Sequence, residues 1–454
     1  MSQAAAIAKG KAALSAAETA FRQDLAGPAV ANAAGSALRA AGKAAFLTAG
    51  LPAVRDEAWK YTNLRPLARR TFAHGGPVPA PDAAAVESVA IGGLAGPRLV
   101  FVNGQYVAAL SDPQIQTGLD IVPLTTLIHD AGSELPESLC QLGDPGQHPF
   151  TALNQGLLEH GVLLRAHGGA VISDPIYLLF VSVPGAEPQA CHPRVFIDSA
   201  ADSSLGVLEH YVGLGSGHNL TNAVTEIQLQ RGSRLRHYRV QDEAATAFHV
   251  GGVFASVGRD ARLESHNLHF GAALARLDLE VALNEPGAEV EMNGLYCLGG
   301  RQHVDNHTRV DHHAPHTRSD EDYRGVLNDR ARGVFNGKAI VHQDAQKIEA
   351  HQSNSNLLLS EQAEVDTKPE LEIYADDVKC SHGATVGQLD QTALFYLRSR
   401  GIDEEAAKAL LTFAFAEAVV GRVGLEPVRR RLETAVAGAL PDRSLIENLI
   451  GVDA

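Results

Sequence analysis

Cys380 and His382 stand one residue apart in DDVKCSHGATVGQLD, residues 376–390. On a strand, positions i and i+2 face the same side, so a thiol and an imidazole there could share one bound species. A protonated imidazole beside the sulfur would favour the thiolate, which is the ligand form of cysteine. Two ligands are too few for a closed structural zinc site, so the pair would be half of a site completed by another chain. The alternative is that Cys380 is a small buried hydrophobe at the end of a sheet. Spacing alone leaves both readings open.

A second group lies in RQHVDNHTRVDHHAPHTRSDEDYRG, residues 301–325. His303, His307, His312, His313 and His316 accompany Asp305 and Asp311. Imidazole and carboxylate suit a borderline transition metal. Strand alternation sends neighbouring side chains to opposite faces, so all of these histidines cannot converge. A hydrogen-bonded ladder or an interface is the other reading. Residues 336–360, NGKAIVHQDAQKIEAHQSNSNLLLS, add His342 and His351 among small polar residues. Such a surface could meet carbohydrate, but no close carboxylate pair marks a glycosidase. There is no Walker A loop, GxGxxG fingerprint or GxSxG elbow, so no nucleotide hydrolysis is expected of the chain itself.

These residues must be positioned by a large chain. Its 454 residues are 45% hydrophobic and 20% charged, ordinary globular usage that allows more than one domain. A formal charge of −15 argues against a nucleic-acid partner, because phosphate binding needs a basic face. No apolar run is long enough for a membrane span. The Ala-rich start MSQAAAIAKGKAALSAAETAF, interrupted by Lys9, Lys11, Glu18 and Arg22, reads as helix and not as a signal peptide. The four cysteines, Cys140, Cys191, Cys297 and Cys380, form no CxxC pair and are spaced unevenly. Reduced thiols and a cytoplasmic location are the expectation.

Three zones follow one another. Residues 1–95 read as helix and loop, with Gly27-Pro28 as punctuation and GGPVPAPDAAA as a loop. Residues 96–386 turn to short strands such as RLVFVNG, VISDPIYLLFVSV, RVFIDS, AVTEIQLQ and LRHYRV. The later ones repeat. Leu235, Leu263, Val290 and Thr317 recur at about 27 residues, and Val334, Ile348, Val365 and Val378 at about half that step. One coil of a β-solenoid, or half of one, has these lengths; a β-sandwich with coincidental spacing is the competing fold. A solenoid exposes unpaired strands at its ends, and the flanking helical zones are suited to cover them. Residues 387–454 read as helices. Gly401 closes one, Asp403 caps the next, and Pro427 opens a third. The middle helix carries Leu410, Phe413 and Phe415, more apolar surface than a lone surface helix needs, which makes it a candidate docking face.

The run FNGKAIVHQDAQKIEAHQSNSNLLLSEQAEVDTKPELEIYADDVKCSHGATVGQLDQTALFYLRSRGI, together with residues 301–325, resembles the SufB/SufD family of iron–sulfur cluster assembly proteins. The resemblance runs from about Gly206 to the C-terminus. GLPAVRDEAWKYTNL, residues 50–64, resembles the N-terminal signature of the SufD branch. The resemblance implies a right-handed parallel β-helix flanked by helical regions. It implies a SufD-like scaffold subunit, not an enzyme, that pairs with a SufB-like subunit through the β-helices. Its C-terminal helices would bind a SufC-like ABC ATPase, which supplies the ATP hydrolysis. A cysteine desulfurase system would deliver sulfur indirectly, reduced flavin is possible in the complex, and a homodimer is possible in isolation. Cys380 and His382 would then help hold iron or a transient cluster at the SufB interface. The SufB pattern itself is missing: Ser381-His382-Gly383-Ala384 replaces a Glu-His-Glu-Ala-type stretch, and Ala363 stands where a sulfur-handling cysteine would be. A structural partner of SufB with no ligand role, and a β-helix polysaccharide lyase, remain as alternatives.

Overall fold

A computed structural model describes residues 14–76 and 81–440. The start of the Ala-rich segment and the last stretch of the C-terminal region lie outside the described residues. Among the described residues, the chain is mainly β and winds into a solenoid of about 8 turns. Two ten-stranded sheets form its walls. The first runs from Gln105–Tyr106 and Arg98–Val102 through every second strand to Val378–Gly387. The second runs from Leu119–Pro123 to Glu364–Ile373.

The repeat is physical. Arg234 aligns with Arg262, Glu289, Arg318 and Glu349 in successive parallel strands, steps of 28, 27, 29 and 31 residues. Leu235, Leu263 and Val290 share one column, as their spacing predicts. Thr317 does not join them. The column continues instead through Ser319 and Ala350. Val334 and Val365 also part company, since Val365 aligns with Gly333. The loops between strands vary in length, so a count along the chain drifts from the register that the ladder holds. Ile348 and Val378 do align.

Inward-facing Leu, Ile, Val and Ala build one long apolar core between the sheets. No single coil could bury these residues, so each coil is stable only on its neighbours. Charged groups are buried in the sheets as well, some of them as close pairs. Arg194 and Glu226 are both fully buried, with Nε donating to Oε2 at 2.9 Å. Glu226 also accepts from the backbone of Cys140 and Leu142 at 2.8 and 2.9 Å, and Arg194 donates to Asn154 Oδ1 at 2.7 Å. This cluster ties the 138–142 loop and the Pro149–Gly156 helix to the second sheet.

The helical zones cover sheet faces, which differs from the expectation that they cover the open ends. The Glu404–Val420 helix is capped by Asp403, which accepts from Ala406 N at 3.0 Å. It lies on the first sheet with Ala83–Val89 and Glu426–Gly438, sharing Val419, Val428 and Val86 with Val100, Leu179 and Leu295. Ala83–Val89 occupies part of the segment read as loop, because Asp82 caps it at Ala85 N, 2.7 Å. On the second sheet, Trp59 packs under the Arg276 guanidinium at 4.0 Å, and Thr62 donates to Asp305 at 2.5 Å. The segment 50–64 is therefore a docking strap for the solenoid wall.

Replacing Arg194 by Met is expected to leave Glu226 as an uncompensated buried charge. The loss should be about 3–5 kcal/mol. A matching drop in the urea midpoint checks it, and an unchanged midpoint would show that the pair is dispensable.

Candidate functional site

The last strand, Val378–Gly387, is the edge of the first sheet, and Glu364–Ile373 is the edge of the second. Both belong to the final coil. Most of Val378–Gly387 is exposed, with unpaired backbone groups along one side. At the opposite end, the first sheet closes with the antiparallel pair of Arg98–Val102 and Gln105–Tyr106, and the second with Leu119–Pro123 antiparallel to Gly161–Ala166. The C-terminal coil has no such closure among the described residues.

Register settles which way the two candidate side chains face. Cys380 continues the column Leu205, Leu235, Leu263, Val290, Ser319, Ala350. His382 continues His237, Ser265, Met292, Glu321, Gln352. Every preceding member of both columns is buried inside the solenoid. Cys380 and His382 therefore share the interior side of the final strand, where no further coil follows. Cys380 is half-buried against the small cluster of Val341, Ala345, Ile348, Ala350 and Ala375. His382 is exposed.

Burial pushes the Cys380 thiol up from its ordinary value, and the hydrogen bond from the Ala350 backbone only partly offsets this. Cys380 is therefore held as a thiol at neutral pH. The other cysteines are further from chemistry. Burial pushes Cys140, Cys191 and Cys297 up to about 12. All four are free.

Behind His382 lies a polar stack that single-residue spacing does not reveal. Gln352 Nε2 donates to Glu321 Oε2 at 2.7 Å, with both residues buried. Glu321 Oε1 and Gln352 Oε1 have no protein partner. Burial pushes the Glu321 carboxyl up to about 7, with the Gln352 bond working against it. A carboxyl whose pKa is raised into the neutral range thus sits two coils below the open end. The signal in the sequence was a lone Glu at an inward position, legible only once the register is known.

The histidine run divides. His303 and His307 join the Arg276–Asp305 strap: His307 Nε2 lies 3.0 Å from Asp305, and His303 Nε2 lies 2.8 Å from Thr62 Oγ1. His312 is buried with its ring nitrogens 2.8 and 3.0 Å from Thr317 and Ser319. His316 occupies a left-handed turn, φ 61°. His313 lies beside Asp311 and His342. His351 points outward to Ser381, 2.8 Å from its hydroxyl.

Leu410, Phe413 and Phe415 are half-buried. Phe413 and Phe415 pack on the first-sheet face, Phe415 under the Arg324 guanidinium at 5.2 Å. Their apolar surface is largely spent on the solenoid. The exposed aromatics of this region are Phe395 at 72% and Tyr396 at 57%, on the Gln391–Ser399 helix.

Comparison with known proteins agrees with this architecture. The family described as SUF system FeS cluster assembly, SufBD core domain, matches residues 181–415. An iron–sulfur cluster assembly SufBD family protein of Synechocystis is 32% identical over 396 residues, covering 85% of this chain and 87% of its own. This chain belongs to the SufBD family. The iron–sulfur cluster assembly protein SufD of Escherichia coli is 31% identical over 398 residues, 87% of this chain and 91% of its own. SufD of Bacillus subtilis is 27% identical over 301 residues, 64% and 66% of the two chains. SufBD membership and the SufD-like relatives give the chain a role in iron–sulfur cluster assembly. No helix among the described residues is long and apolar enough to cross a membrane.

The raised Glu321 carboxyl has a pH signature. A carboxyl raised from 4.5 to about 7 stabilises the fold fully below about pH 4.5, and that contribution is lost as pH rises through about 7. Glu321→Gln is isosteric and stays neutral. It is expected to match the wild type in stability near pH 4.5 and to exceed it at pH 8 by on the order of 3 kcal/mol. Urea midpoints of both proteins at the two pH values measure this. Parallel pH profiles would mean that the folded site accommodates the ionised form.

Proposed function

We propose that this chain is the SufD-like subunit of a cytoplasmic cluster-assembly scaffold, and that its open C-terminal coil meets a SufB-like partner. The observation that carries the reading is the position of Cys380 and His382 on the interior side of an uncovered final strand. An exposed parallel edge accepts a partner's strand through its backbone groups. Such a partner continues the two columns and covers both side chains. Its ligands then complete the half-site, with iron or a nascent cluster as substrate and His382 and Cys380 as this chain's donors. Lys368, Glu370 and Lys379 on the last coil discourage indiscriminate edge pairing.

In this reading the chain is a scaffold and not an enzyme, and a SufC-like ATPase hydrolyses the nucleotide. The C-terminal helices receive that ATPase. They are also well placed to pass on its movement. Arg422 donates to Asn293 at 2.7 Å and to Asp322 at 2.9 Å, and Arg431 donates to Asp242 at 2.7 Å. Displacement of the helices would therefore pull on the first sheet, whose last strand bears the half-site.

A scaffold role without ligation has one supporting observation, the packing of Cys380 against small apolar residues. Co-expression with SufB-like and SufC-like partners and anaerobic purification separates the two. The Cys380→Ala/His382→Ala variant is expected to assemble with both partners while its iron content and iron–sulfur absorption fall at least about tenfold. Assembly with unchanged iron would leave this chain as a scaffold alone.

A further inference from the structure

A second group of donors sits at a corner of the second sheet and shares no residue with the Val378–Gly387 strand. Asp311 lies near the end of the His303–His312 strand, and His313 follows it. His342 follows the Arg332–Val341 strand of the next coil. His312 aligns with Val341, so His313 and His342 are neighbours across adjacent coils at one corner. Their rings stack with centroids 4.2 Å apart and planes at 19°. His342 Nε2 is 3.0 Å from Asp311 Oδ1. One donor atom from each residue lies within 4.8 Å of the others. Two stacked imidazoles thus stand beside one buried carboxylate.

We propose that Asp311, His313 and His342 form a binding site for a divalent first-row transition metal, separate from the Cys380–His382 half-site. Donors on one ion with bonds of about 2.1 Å stand roughly 3.0–3.5 Å apart, so rotation of the exposed His313 closes the set. Two imidazoles and one carboxylate on one side of the ion leave its other positions to water, the facial arrangement that suits Fe(II), Co(II) or Zn(II). Arg309 donates to Asp311 Oδ2 at 2.5 Å and to Oδ1 at 3.0 Å. That fork orients the carboxylate and withdraws part of its charge. The imidazoles then dominate the donor set, which disfavours the hard, oxygen-seeking Mg²⁺ and Ca²⁺. The site is independent of the cluster-assembly reading and stands or falls on metal binding alone.

The test uses the untagged full chain carrying Cys380→Ala/His382→Ala, so that the other half-site contributes nothing. Anaerobic titration with Co(II), followed by its visible d–d absorption, is expected to saturate at one ion per chain. Adding His313→Ala and His342→Ala should weaken that binding at least about tenfold. His313→Gln alone, at an exposed position, should weaken it in the same direction without disturbing the corner. Absence of a saturable cobalt spectrum, or equal affinity with the histidines removed, would overturn the assignment.

Discussion

Register is the constraint on which the rest of this structure depends. Each parallel coil must place an inward side chain directly over the one before it, so residues about one coil apart become packing neighbours for life. The apolar columns satisfy this by like-on-like burial. The column that runs from Leu205 to Ala350 ends on Cys380, and its neighbour ends on His382. A stacked fold makes its last member different from all the others, because only that member lacks a successor. Chemistry at the end of a solenoid therefore needs no special pocket. It needs inward-facing donors on the coil where stacking stops.

The same stacking makes buried polar residues expensive unless they pair on their own coil or with the next one. Arg194 with Glu226, and Arg276 with Asp278 and Asp305, meet this requirement with charge-assisted bonds of 2.6 to 2.9 Å. Glu321 meets it only in part: Gln352 donates to one carboxyl oxygen, the other has no protein partner, and burial raises the pKa of the group. These solutions also determine what lies outside. The Arg276 group reaches through the second sheet to Trp59 and Thr62 and fixes the N-terminal strap. Arg324 and Arg422 do the equivalent for the C-terminal helices on the first sheet.

Among the described residues, the wall helices leave the final coil uncovered. Helices folded across the end would have satisfied the open edge and hidden Cys380 and His382 together. Laid along the faces, they stiffen the sheets and leave the backbone groups of the final edge unpaired among the described residues.

Much of this was legible in the order of residues. Short β-type runs with a recurring step, helical runs with Asp403, Gly401 and Pro427 at their ends, and Cys380 two positions from His382 are local properties, set by backbone propensity and side-chain alternation. They determined a coiled β fold, its helical flanks and a thiol–imidazole pair on one strand face. Tertiary structure decided the rest, because it depends on contacts between residues far apart in sequence. Loop lengths shifted the register so that Ser319, not Thr317, entered the Cys380 column. Packing on the first sheet consumed Phe413 and Phe415 and left Phe395 and Tyr396 in solvent. Burial raised the pKa of both the Cys380 thiol and the Glu321 carboxyl, since ionisation follows the local dielectric as well as the residue type. The histidine run split into a strap, a satisfied core residue and a corner beside His342, because each ring took the partner that the neighbouring coil offered.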